Sequence, residues 1–152
     1  VPVRDAQADP VSTFINAAGS AIFAKLTGAS ALTTLLSAGT ASVFRSLAPE
    51  EAATPYVVYN AQSPSVPVRT MGGVAYDNAL YLVKAVTESH SAVSAGQIAA
   101  QIITALDPAP LTLTGYTHMR CSREQDVDYE ELAPGGKRFQ HRGSVFRVQT
   151  TT

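Results

Sequence analysis

Tyr76-Asp77-Asn78-Ala79-Leu80-Tyr81-Leu82-Val83-Lys84-Ala85-Val86-Thr87-Glu88 reads as one long β-strand, and the rest of the fold is arranged around it. The period is two. Leu80, Leu82 and Val86 fall on one face, Tyr81, Val83 and Ala85 on the other. Both faces are largely apolar, so each can be covered. Upstream, Thr54-Pro55-Tyr56-Val57-Val58-Tyr59 opens a second strand of aromatic and β-branched residues that continues to about Gln62. Residues 63–75 between them, Ser-Pro-Ser-Val-Pro-Val-Arg-Thr-Met-Gly-Gly-Val-Ala, number 13, where a hairpin loop uses about two to five. A compact chain of this length has a radius of gyration of about 15 Å and a diameter near 40 Å. A strand over residues 76–88 spans about 43 Å at about 3.3 Å per residue. Either it bends sharply or its end projects beyond the core. A projecting tip with Val66, Val68 and Met71 calls for a partner.

Outward from this pair, the pattern alternates between helices and strands. Asp9-Pro10 has the form of a helix start, with Asp as N-cap and Pro at the first helical position. Val11, Phe14, Ile15, Ala18, Ile22 and Leu26 then make one apolar stripe, which Gly28 stops. Ser30 is expected to cap a short helix carrying Leu32, Leu35 and Leu36, ended by Gly39. Val43 to Leu47 reads as a short strand. Ser94 and Gln97 form a capping-box pair before the stripe Ile98, Ala99, Ile102, Ile103, Leu106, which Asp107-Pro108 closes. Strands are expected at Leu111–Thr114, Tyr116–Arg123, Asp126–Leu132 and Phe139–Gln149, with a tight reversal at Gly135-Gly136. The expectation is an α+β fold: an antiparallel β-sheet, two main helices packed on one face, and a projecting long β-hairpin. A single domain is expected over residues 9–152, after a loose N-terminal arm at 1–8, with no repeat and no linker.

Composition excludes more than it selects. Eleven basic and 12 acidic residues give a net charge of −1, so no basic footprint invites a nucleic-acid backbone. Charged residues make up only 15%, against about 25% in an ordinary soluble domain. Thirteen Ser and 15 Thr replace them, a surface wetted by hydroxyls that a partner can cover. The lone Cys121 cannot form an internal disulfide, which suits a reducing compartment. No apolar run approaches the roughly 18 residues a membrane span needs. A soluble cytoplasmic protein is expected.

Tests for chemistry mostly fail. His90, His118 and His141 have no Cys or His at ligand spacing. Asp126-Val127-Asp128-Tyr129-Glu130-Glu131 lacks the Gly and the closing acid of a calcium loop; alternation puts Asp126, Asp128 and Glu130 on one wet strand face. Gly135-Gly136-Lys137 lacks the flanking residues of a phosphate loop, and Gly28-Ala29-Ser30 the closing Gly of a nucleophile elbow. Ser89-His90-Ser91 reads as a solvated turn. Cys121 needs a distant His to act as a nucleophile. Arg120, Arg123, Arg138, Arg142 and Arg147 face a similar number of acids in the last third. Cross-strand pairs are the plain account, and charge-matched contacts between copies the sharper one.

Helix, Ala31-Leu32-Thr33-Thr34-Leu35-Leu36-Ser37, Val43-Phe44-Arg45, Ala48-Pro49, Pro55-Tyr56-Val57-Val58, the long strand, the Ala-rich helix to Leu106, Leu113-Thr114-Gly115-Tyr116 and an Arg-rich last strand occur in that order. Over about residues 12–150 this resembles the tail terminator, or tail completion, family of long-tailed bacteriophages and related tail-like particles. The resemblance implies a virion structural protein, assembled in the host cytoplasm, without catalysis or cofactor. Its copies would form a ring of six that caps the head-proximal end of the tail tube and ends its polymerisation. Its partners would be itself, the tail tube protein and the head connector or neck protein, with DNA passing through the lumen unread. Val66, Val68, Arg69, Met71, Asp126, Asp128, Glu130 and Arg138 are the candidate assembly interface. The alternatives are another neck or tail tube ring protein, and a small ligand-binding or enzymatic α+β domain with Cys121 or His118 in a pocket.

Overall fold

A computed structural model describes residues 10–63, 67–107 and 110–151, with side chains from Phe14 onward in the first helix. The expected arm at 1–8, the Asp9 cap, Val11, Pro64, Val66 and Pro108 lie outside the described residues and side chains. In chain order the elements are α1 (Pro10–Gly28), α2 (Ser30–Thr33), β1 (Val43–Arg45), β2 (Tyr56–Ala61), β3 (Val68–Thr70), β4 (Gly73–Glu88), α3 (Val93–Leu106), β5 (Thr117–Leu132) and β6 (Arg138–Thr151). The strands form one mixed sheet in the order β1-β2-β4-β6-β5, with β3 on β4. Every pairing is antiparallel except β1 on β2, which is parallel.

Period two along β4 decides what is buried. Ala79, Tyr81, Val83 and Ala85 point into the core with Val57 and Tyr59 of β2 and Phe146 and Val148 of β6. Phe14, Ala18, Ile22 and Leu26 of α1 and Ile98, Ile102 and Leu106 of α3 close over them, all 2% exposed or less. These residues of the expected stripes are the packed faces, with Ile15 and Ile103 partly buried at their margins. Tyr81 is fully buried and its hydroxyl donates to the Ile15 carbonyl oxygen at 2.6 Å, tying α1 to the sheet. Burial pushes that phenol up to about 12. At Gly143 of β6 the backbones meet closely: a Cβ there would lie 2.1 Å from the Val83 carbonyl oxygen and 2.5 Å from Lys84 Cα. Only glycine fits such an approach.

Several elements differ from the sequence reading. The 63–75 segment is not an unpaired loop, because Val68–Thr70 pairs back onto Gly73–Tyr76 despite Pro67 and the glycines. Its turn at Met71-Gly72 makes β4 start three residues early, and Gly73 has φ +127°. Residues 117–132 form one strand, not two, since single-residue bulges at Met119 and Glu124 absorb the irregularity without ending the ladder. Leu111–Thr114 is irregular; Leu111 and Leu113 plug the core, and the Leu111 N–H donates to His118 Nδ1 instead of a strand partner. Neither Ser30 nor Ser94 is a cap. Helices α2 and α3 start from Ala29 and Ala92, which offer no capping side chain, though the Val93 N–H donates to Ser91 Oγ at 3.3 Å, and α2 stops at Thr33, well before Gly39. Gly135 and Gly136 do take positive φ, 83° and 76°, at the β5–β6 reversal.

The second face of the sheet has no helix over it among the described residues. Its strands shield one another: Val58 and Val86 are buried, Leu80, Leu82 and Val145 half-buried. His141 lies there, 6% exposed, between β4 and β5. Its ring stacks on Tyr129 at 4.4 Å, and Nε2 meets Glu131 Oε2 at 2.8 Å, while Nδ1 is buried with no partner among the described residues. Lys84 Nζ donates to the Tyr129 hydroxyl beside it at 2.5 Å. Burial, with Lys84 adding, pulls the imidazole below the usual histidine range, against the opposite pull of Glu131.

Two outcomes follow. Ile102→Ala empties a site that is fully buried under α3 and should lose about 2–5 kcal/mol, read as a drop in Tm; an unchanged Tm would refute the assigned helix face. For His141, the unfolded chain takes up a proton near pH 6.5 while the folded chain resists it. Its stabilisation is therefore full above that pH and is lost as pH falls below it. His118, also lowered by burial, has the same sign. Thermal melts should show Tm falling between pH 7 and 5.5 in the parent, and falling less in His141→Gln. Equal falls would show that His141 titrates normally.

Candidate functional site

The sheet carries two features beyond its core, and both are consequences of strand length. Strand β4 has 16 residues, about 53 Å. Its pairing with β6 begins only at Asp77↔Thr150, and β2 ends opposite Tyr81. Residues 73–76 therefore run on with β3 as a two-stranded tip. Arg69 and Val74 sit opposite each other, as do Val68 and Tyr76. Met71 is wholly exposed at the turn, Val74 is 51% exposed and Arg69 is exposed with no ion pair among the described residues. Val68 is half-buried. Leaving methionine and valine in water forgoes about 25 cal/mol per Å² of apolar surface.

The second feature is the groove between α3 and β5. Helix α3 covers β6 and β4 but barely reaches β5, whose residues are mostly exposed. One wall is Gly96, Ala99, Ala100 and Ile103 of α3; the other carries Asp126 and Asp128, with Arg142, Gly143 and Ser144 as floor, around a volume of about 260 Å³, and the Arg142 guanidinium lies against Gly96. Asp126, Asp128 and Glu130 do alternate onto one face, opposite Ser144, Arg142 and Gln140. They are paired across the strands. Arg142 grips both oxygens of Asp128 at 3.1 and 3.0 Å, and Arg138 lies 3.3 Å from Glu130. Asp126 Oδ1 accepts from Ser144 Oγ at 2.9 Å and from Arg123 at 3.4 Å. Arg147 meets Glu124 at 2.6 Å, and that contact holds the Glu124 carboxyl below its usual range. The cross-strand account of these charges holds, yet the Asp126 and Asp128 side chains remain 67% and 57% exposed.

Cys121 and His118 both line a shallow depression of about 370 Å³ with Asp107. Burial, then Asp107, pushes the thiol up to about 12, so it is a protonated core group at neutral pH. Burial lowers His118, which accepts from Leu111 at Nδ1. No cluster of His, Cys, Asp and Glu among the described residues could hold a metal ion. The candidate interface residues thus fall into two groups that one chain does not bring together: the tip with Val68, Arg69 and Met71, and the β5–β6 ladder with Asp126, Asp128, Glu130 and Arg138. Sequence reasoning counted Ala99 and Ile103 in the core stripe; the structure puts them instead with Gly96 and Ala100 on the groove wall, and the small residues at helical spacing were its signal.

No curated protein matches the chain. Among solved structures it is similar to a chain of the virion of a native gene transfer agent particle, at 18% identity and a TM-score of 0.68, over 90% of this chain and 98% of that one. That likeness bears on the fold. Residues 20–151 match the family described as Tail completion protein gp17. Since that span takes in all six strands, α2, α3 and the C-terminal half of α1, the chain belongs to the tail completion protein gp17 family.

Proposed function

We propose that the protein is the ring that ends a phage-type tail. Six copies close at the head-proximal end of the tail tube, stop its growth and offer the surface on which the head connector docks. DNA passes through the lumen without being read. The observation that carries this reading is the β3–β4 tip of a tail completion protein: a paired, projecting element whose Met71 and Val74 are exposed with nothing covering them among the described residues. A neighbour in the ring, or the tube, covers them. The near-neutral charge favours passive passage of DNA over binding, since few counterions are released. The role is structural, and the protonated, buried Cys121 does no chemistry in it.

The tip can be removed cleanly. Val68 and Tyr76 are cross-strand partners, so Asn-Gly in place of residues 69–75 closes the strands with a two-residue turn. The shortened protein should keep its circular dichroism and melt within a few degrees of the parent. In light scattering and electron microscopy of tails it should form no rings and leave tubes uncapped and over-long. Capped tails of normal length made with the shortened tip would overturn the reading.

A further inference from the structure

The tip and the α3–β5 groove belong to one chain but cannot meet within it. Lys84 lies opposite Gly143 on the groove floor, and Gly73 at the tip is 84 − 73 = 11 residues away along β4. That is about 36 Å of strand at about 3.3 Å per residue. From Asp77 onward β4 is laddered to β6, so it does not fold back. Two different patches that fit each other and cannot be satisfied internally make a heterologous contact, and such contacts give rings when the rotation closes.

We propose that the β3–β4 tip of one copy seats in the α3–β5 groove of the next. Arg69 lies on the Asp126–Asp128 rim, and Met71 and Val74 lie on the wall of Ala99, Ala100 and Ile103. The inference rests on the ring reading above and names the contact that builds the ring. Charge selects the groove. Arg69 is a cation without an ion pair among the described residues, and Asp126 Oδ2 accepts no hydrogen bond among them. A carboxylate has about four acceptor sites, so Asp126 can take a further donor without giving up Ser144 or Arg123. Arrangement agrees with charge. On the tip a cation stands opposite an apolar side chain, Arg69 and Val74; in the groove an acidic strand faces an apolar helix wall. Arg142 fills the space beside Gly96, but further along the wall Ala99 and Ala100 leave room for methionine. The larger groove beside α1, about 520 Å³, is also floored by alanines, but it carries Lys25 and no acid in its lining, whereas Arg142 in the α3–β5 groove is held by Asp128 and Asp126 stands beside it.

A cysteine pair tests the contact. Met71→Cys with Ala100→Cys should give, on mild oxidation, a ladder of covalent multimers that ends at the ring, while each single variant gives none; the buried Cys121 thiol does not interfere. A charge cycle tests the pairing. Arg69→Glu and Asp126→Lys should each raise the concentration at half-assembly at least tenfold, and the two together in one chain should restore it to within about threefold. Circular dichroism guards against misfolding of Asp126→Lys, and the cysteine pair stands without that variant. If the parent forms rings by electron microscopy yet the cysteine pair yields no ladder, the contact is wrong and the ring reading survives. If the parent forms no ring, alone or on tail tubes, the ring reading fails and takes this contact with it.

Discussion

The ladder between β4 and β6 is the constraint from which the rest of the molecule follows. Twelve residue pairs run from Asp77↔Thr150 to Glu88↔Phe139. At Gly143 the two backbones come so close that a methyl group would meet the Val83 carbonyl oxygen. That approach fixes the register, and a slip of one residue would turn Tyr81, Val83, Phe146 and Val148 out of the core. Strand β2 then pairs on the free side of β4 and β5 on the free side of β6. Helices α1 and α3 close upon the face that carries Tyr81, Val83, Phe146 and Val148. The Tyr81 hydroxyl on the Ile15 carbonyl fixes where α1 crosses.

Length was legible in the sequence, and pairing was not. The alternation at residues 76–88 and the stripes from Phe14 to Leu26 and Ile98 to Leu106 are direct images of the buried faces, because burial is what selects those residue types. A strand too long for its domain was also visible, and the tip does project. What stayed hidden depended on partners far away in sequence. The β3 pairing needs only three residues, with Pro67 just before it and Gly72-Gly73 at its turn, too short a stretch for alternation to show. The bulges at Met119 and Glu124 look like a strand break when the partner strand is unknown. Leu111 and Leu113 alternate like a strand but only plug the core, since the His118 ring takes the N–H a neighbouring strand would have taken. Among the candidate site residues, the alternation of Asp126, Asp128 and Glu130 was readable. Their proximity to α3 was not, because it depends on how a helix lies over the sheet.

Strand β5 shows how an exposed edge is made safe. Open edges template further strands, and bulges and charges are the usual defence. Two bulges break the regularity of this edge, and Glu124, Asp126, Asp128, Glu130 and Glu131 are each held by an Arg or His. Apart from the buried His141 ring the partners are solvent-accessible, and such pairs contribute little stability. Five pairs along one edge strand are better explained as a surface that must remain unpaired by strands than as a source of stability. The opposite edge, β1, is three residues long and too short to template anything.

This bears on how a tail can be ended at all. Addition of strands edge to edge has no natural stopping point, since each new strand presents another edge. A projecting tip that enters a groove is consumed by its one neighbour, and the last tip fills the first groove when the rotation closes. On the ring reading, blunting β5 and extending β4 serve the same end: the copies have one way to join, and it terminates itself. The sparse surface charge fits this as well. On the same reading, a strongly basic lumen would hold DNA passing through it, whereas a surface of hydroxyls and internally paired acids and arginines exerts little pull on a phosphate backbone.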